Sequence, residues 1–126
     1  MIIIDEVKFD IPIVSLKRTA EFLDKYAKRT EDGNLQRKLI GVYLNYQLKL
    51  ARSTAVGKKV YQKLWDKLTE PVEFHTVVVP DESGNYTFTA YFANVGDEML
   101  TQQGSENYWK NLTVNFTAKA PARKPS

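Results

Sequence analysis

The longest regular pattern in the chain lies between Ile40 and Leu50, where every even position is apolar (Ile40, Val42, Leu44, Tyr46, Leu48, Leu50). The odd positions are Gly41, Tyr43, Asn45, Gln47 and Lys49. A period of two over this length predicts a strand with one buried and one polar face, which suits an antiparallel sheet with a wet or interface side. The preceding segment supports two readings. Val14, Leu16, Ala20 and Phe22 alternate as in a strand, while Leu16, Ala20, Leu23 and Ala27 also fit a helix built from good helix formers. The turn signal Glu31-Asp32-Gly33-Asn34 ahead of a long strand favours a hairpin with an extended loop.

Val56, Val60, Leu64 and Leu68 then recur every four residues, widened by Tyr61 and Trp65. This predicts one helix over about 54–69, capped by Ser53 or Thr54 and ended by Pro71. Lys58, Lys59, Lys63 and Lys67 fill its other face. Val72 to Val79 and Tyr86 to Phe92 read as two strands around a Pro80–Asn85 hairpin loop. Residues 94–107 carry Gly96, Gly104 and many polar side chains and read as a loop. Leu112, Val114 and Phe116 form a last strand, with Thr87, Thr89, Tyr91, Thr113, Asn115 and Thr117 on a polar sheet face. The expected fold class is α+β, mainly antiparallel β: a sandwich or rolled sheet flanked by one helix. Residues 1–119 are expected to form one β-rich domain, and 120–126 an extended basic tail with two prolines, mobile or pinned on a neighbour.

Composition narrows the function classes. With 43% hydrophobic and 26% charged residues in 126, the chain has the makings of one cored domain. Cysteine is absent, which removes disulfides, thiolate metal sites and cysteine nucleophiles. The apolar start Ile2-Ile3-Ile4 is broken at once by Asp5 and Glu6, and nothing approaches a membrane span, so a cytoplasmic chain is expected and the sequons at Asn85, Asn111 and Asn115 are read as chance. The net charge of +3 is uneven: −2 over residues 1–16, +8 over 17–67 and −3 over 68–126. Such a basic middle suits solvated faces, an acidic partner or nucleic acid.

Candidate chemistry is sparse. His75 is the single histidine, and a lone strand histidine more often packs or sits at the surface than ligates a metal. No nucleophile elbow, phosphate loop or zinc motif is present, and the acidic pairs Glu31-Asp32, Asp81-Glu82 and Asp97-Glu98 fall in expected turns or loops. No catalytic, cofactor-binding or metal-binding residue is expected, and no cofactor.

Three stretches carry a resemblance: Arg29-Thr30-Glu31-Asp32-Gly33 followed by Leu35 to Tyr46, Leu64 to His75, and Leu112-Thr113-Val114-Asn115-Phe116 through Pro121-Ala122-Arg123-Lys124-Pro125. Together they resemble small virion structural proteins, tail components, of tailed phages and prophages of Firmicutes. The resemblance covers nearly the whole chain. It implies a tail-tube-like fold and a subunit that self-assembles or docks into the tail as tube, distal tail, baseplate or joining piece. Its partners would be copies of itself and other phage tail proteins, with no small-molecule substrate and no membrane, and its place the virion tail after assembly in the host bacterial cytoplasm. Tube proteins resemble one another in an acidic inner surface, whereas residues 17–67 are basic, so a position outside the tube is equally open. The expected contact elements are the loop around Lys28 to Arg37, the 94–107 loop and the tail. The candidate assembly contacts are Lys28, Arg29, Glu31, Asp32, Asn34, Arg37, Tyr43, Arg123 and Lys124. A small basic β-barrel that binds nucleic acid, with Tyr43 and Tyr61 as exposed stacking rings, is the alternative.

Overall fold

The computed structural model describes residues 2–52, 57–82 and 84–125. Its elements are β1 (Ile2–Ile4), β2 (Val7–Phe9), β3 (Ile13–Arg29), β4 (Leu35–Leu50), α1 (Lys58–Leu68), β5 (His75–Asp81), β6 (Gly84–Gln103) and β7 (Glu106–Ala118). The strands form one antiparallel sheet in the order β2-β1-β5-β6-β7-β4-β3.

The period-two faces meet across this sheet in register. Leu48 pairs with Val114, Tyr46 with Phe116, Phe116 with Phe92 and Val77 with Phe88. Ile2, Ile4, Leu48, Leu50, Val77, Val79, Leu112, Val114 and Phe116 are all essentially removed from solvent. Burying each such side chain contributes about 1.5–3 kcal/mol. The opposite face carries the expected polar row, with Thr87 and Thr89 exposed and Thr113, Asn115 and Thr117 half-buried.

The sheet is rolled. β3 and β5 stand four places apart, roughly 19 Å in a flat sheet. Yet Arg18 of β3 pairs with Asp81 of β5, and the Tyr46 and Tyr86 rings of non-adjacent strands lie 6.0 Å apart. α1 covers the core through Tyr61, Leu64 and Leu68. It ends as Pro71 requires, with the Thr69 hydroxyl donating to the Trp65 carbonyl at 2.8 Å. Its first residue follows Gly57, which makes no side-chain cap bond; the expected caps Ser53 and Thr54, and Val56, lie outside the described residues.

Several local expectations are corrected. Residues 94–107 are not a loop: β6 and β7 continue as a ribbon, with Glu98 opposite Lys110, Met99 opposite Trp109 and Gln103 opposite Glu106. Burial along this ribbon does not alternate residue by residue, so no period of two marks it in the sequence. Register shifts accompany Gly96, and Asn94 and Asn111 take positive φ of 55° and 56°. Residues 72–74 precede β5 rather than belonging to it, and Val72 and Phe74 are exposed. Pro80 and Asn85 pair within the hairpin, as do Asp81 and Gly84, so that connection is tighter than expected.

The long hairpin is present, and β3 settles as strand along its whole length, because each of its residues finds a cross-strand partner or bulge on β4. Its loop is not extended. Residues 30–34 close a tight turn in which the Thr30 N–H donates to the Asn34 carbonyl at 2.8 Å and Gly33 takes a φ of +86°. The even positions of β4 are buried only from Tyr46 onward; Val42 and Leu44 are half-buried and Ile40 is exposed.

Candidate assembly surface

β7 pairs with β4 only from Lys49 to Tyr46. Beyond Val42, where the tail pairs with β4 through Arg123, β3 and β4 continue to the turn as a two-stranded arm; from Leu23 to Arg29 it spans roughly 20 Å. Phe22 and Leu23 are neighbours in a strand and point to opposite faces. Both are exposed, at 57% and 45%, so both faces of the arm are open to solvent. Tyr26, Leu35 and Ile40 add exposed apolar surface. The outer edge of β3 has no strand beside it among the described residues.

The hairpin gathers six of the nine expected contact residues at the arm. Lys28 and Arg29 lie on β3, Arg37 on β4, and Glu31, Asp32 and Asn34 in the turn. Their availability differs. Asp32 is consumed by the turn: it accepts from the Thr30 hydroxyl and from the Asn34 backbone and side-chain N–H groups. The Thr30 bond first, then the Asn34 N–H, hold its carboxyl below the usual carboxylate range. Arg29 donates to the Gly33 carbonyl at 3.0 Å. Arg37 bonds Asp24 at 2.6 Å and lies over the Phe22 ring at 5.4 Å, a cross-strand lock on the arm. Lys28 and Glu31 have no ion-pair partner among the described residues.

The other three expected contacts lie apart from the tip. Tyr43 is half-buried and packs against the core. Arg123 bridges Val42: the Val42 N–H donates to the Arg123 carbonyl at 2.9 Å, and the Ala122 N–H donates to Val42 at 2.8 Å. The segment expected to be mobile or pinned on a neighbour is thus strapped to its own β4, on the edge that β7 leaves free. Gly41 allows this approach, since a Cβ there would stand 2.5 Å from the Pro121 Cβ. Lys124 is exposed. No protein-family model, curated protein sequence or solved structure matches the chain.

Tyr61, expected as an exposed stacking ring, is buried, and its hydroxyl donates to Asp97 at 3.0 Å. Burial first, then that bond, push its pKa up, so it stays a donor. This removes one of the two rings on which the nucleic-acid alternative depended. No described helix is long and apolar enough to cross a membrane.

His75 turns out to be a packing residue with one strong partner. It is buried on the core face, stacked on Phe92 at 4.5 Å, and its Nδ1 lies 2.6 Å from Asp5. Asp5 and Glu6 occupy the β1–β2 turn with φ of 50° and 70°, the left-handed pair that a two-residue hairpin requires. Burial alone would raise the Asp5 carboxyl, but the His75 bond, the Thr76 N–H at 2.9 Å and the charge of Lys67 outweigh it and hold it low. Glu70 completes a donor set with Asp5 and His75 whose ligating atoms lie within 4.8 Å of one another. Lys67 already stands there, 2.9 Å from Glu70 and 3.8 Å from Asp5, so its ammonium group supplies the positive charge and the cluster works as a clamp between α1, β5 and the β1–β2 turn.

Proposed function

We propose that this chain is a structural subunit of a phage or prophage tail that assembles with copies of itself, and with other tail proteins, through the β3–β4 arm. The observation that carries the reading is the arm itself. A two-stranded ribbon is marginal in water, and one exposing Phe22, Leu23, Tyr26, Leu35 and Ile40 together with an unpaired β3 edge gains stability once another chain covers it. The rest of the molecule supplies what a repeating assembly needs: a rolled sheet, one covering helix, and a second ribbon from β6 and β7. Heterologous contacts of an arm on a different surface of the next copy close into rings or extend into tubes. The three stretches named above point to a tail rather than to another assembly.

The test is the mass of the protein in solution across a concentration series, with negative-stain imaging of the most concentrated sample, for the native chain and for a Phe22→Ser, Leu35→Ser double variant. Rings, tubes or a defined oligomer that the double variant fails to form, at an unchanged melting temperature, support the proposal. A native chain that stays monomeric at every concentration, or a variant that assembles as the native chain does, overturns self-assembly through the arm.

A further inference from the structure

A second feature owes nothing to the arm. α1 meets the β6–β7 ribbon through Tyr61 on Asp97 and Lys58 on Glu106, and between them lies a cleft of about 180 Å³ lined by Tyr61, Gln62, Trp65, Asp97 and Trp109. Both tryptophans of the chain are here. Tyr61 and Trp65 are one helical turn apart and share a face of α1, while Asp97 and Trp109 come from the facing strands β6 and β7. Among the described residues the charged group in the lining is the Asp97 carboxylate, which accepts the Tyr61 hydroxyl at 3.0 Å.

That carboxylate has no basic partner among the described residues. The nearby Lys58 is committed elsewhere, paired with Glu106 and placed over the Tyr108 ring. Gln62 donates to Asp66 at 3.0 Å rather than to Asp97. A carboxylate flanked by three aromatic rings is a complementary surface for positive charge: the ring faces carry negative potential and the acid supplies a full charge. The volume points the same way. It falls below the roughly 300–1,000 Å³ of pockets for drug-sized ligands and suits a group the size of a side-chain terminus.

We propose that this cleft binds an organic cation, an alkylammonium or guanidinium group, between the rings of Tyr61, Trp65 and Trp109 and against Asp97. The guanidinium form would come from an arginine side chain of a protein partner, the alkylammonium form from a lysine or a free quaternary ammonium. Only the guanidinium and lysine forms also donate hydrogen bonds to Asp97, and such charge-assisted bonds are about twice as strong as neutral ones.

With only two indoles in the chain, both at the site, the ¹⁵N-resolved indole N–H resonances of the full-length protein report binding directly. The probes are tetramethylammonium chloride and N-acetyl-arginine amide, each titrated at ionic strength held constant with sodium chloride, with tert-butanol and glucose as neutral controls. Saturable shifts of both indoles by either cation and not by the neutral compounds are expected. Asp97→Asn keeps an acceptor for Tyr61 and removes the charge, and it should weaken cation binding by about tenfold or more. Should that variant fail to fold, the exposed Trp109→Leu, read at Trp65, is expected to weaken binding as well. Tighter binding of the arginine probe assigns the cleft to a protein side chain, and tighter binding of tetramethylammonium to a quaternary ammonium. No saturable shift beyond sodium chloride, equal shifts with tert-butanol, saturation by glucose instead, or unchanged affinity in Asp97→Asn overturns the proposal.

Discussion

Asp5 and His75 lie 70 residues apart in sequence and 2.6 Å apart in space, the carboxylate of a two-residue turn on the ring of a buried strand histidine. The contact fixes the β1–β2 hairpin onto β5, where Asp5 also accepts the Thr76 N–H and donates its own N–H to the Thr76 carbonyl at 2.8 Å.

This contact makes part of the stability acid-sensitive. The Asp5 carboxyl is lower in the folded chain than its ordinary value of 3.8, so near that pH the unfolded chain binds more protons. Stability from Asp5 is therefore complete above the ordinary value and is lost as pH falls through the lowered one. Asp5→Asn should lower the melting temperature at neutral pH, by an amount equivalent to about 1 kcal/mol for a partly exposed charged hydrogen bond. The gap between variant and native chain should close in melts run well below pH 3.8. A gap of constant size would show that the carboxylate charge has no part in it.

The strap over β4 gives a prediction by double-mutant cycle. Gly41→Ala places a methyl group 2.5 Å from the Pro121 Cβ and 3.0 Å from the Arg123 carbonyl oxygen, contacts with ring and backbone atoms that yield little. In the full chain the variant should lose about 1–3 kcal/mol, the usual cost of overpacking. With residues 120–126 deleted, the same change should be neutral or slightly stabilising, because alanine in a strand costs less chain entropy than glycine. Equal effects in both backgrounds, measured by chemical denaturation, would place the tail off Gly41.

Along β4 the same substitution should have opposite consequences at its two ends. Leu48 is fully buried, and Leu48→Ala should cost about 2–5 kcal/mol. Ile40 sits on the arm at 43% exposure, and Ile40→Ala should change monomer stability by no more than about 0.5 kcal/mol. Comparable losses in urea titrations would mean that the arm is folded onto the body in solution.

Hydrogen exchange distinguishes the arm from the body without mutation. Amides of β3 and β4 between Leu23 and Gly41 have only each other and should exchange ahead of those in the Tyr46–Lys49 segment, where β4 lies between two strands. At concentrations where assembly occurs, the arm amides should gain protection. Arm protection that is already high in the dilute monomer would contradict the marginal-ribbon argument.

What could be read from the chain, and what could not, divides along the boundary of the core. Where a strand has one face inside and one outside, the alternation is written into it: Tyr46, Leu48 and Leu50, or Leu112, Val114 and Phe116, announce their burial with no knowledge of the partner strand. The helix of Val60, Leu64 and Leu68 is equally legible, because its period is a local property of the backbone. The same local reading extended the alternation to Ile40 and expected burial there, and it took residues 94–107 for a loop. At Ile40 the strands pass beyond the core and both faces meet solvent, while over 94–107 one ribbon face meets α1 through polar groups, Asp97 on Tyr61 and Glu106 on Lys58, so side-chain polarity no longer reports backbone conformation.

The mainly antiparallel class, the single helix and the buried faces are therefore legible residue by residue, since each follows from periodicities that a short stretch of chain carries alone. Tertiary structure alone decided that β6 and β7 run on as a ribbon and that Arg123 comes to rest on Val42. It also brought Asp5 to His75 and set Asp97 in one cleft with Trp65 and Trp109. Those outcomes depend on chain closure over tens of residues, and a contact between distant residues leaves no period in the sequence for either partner to show.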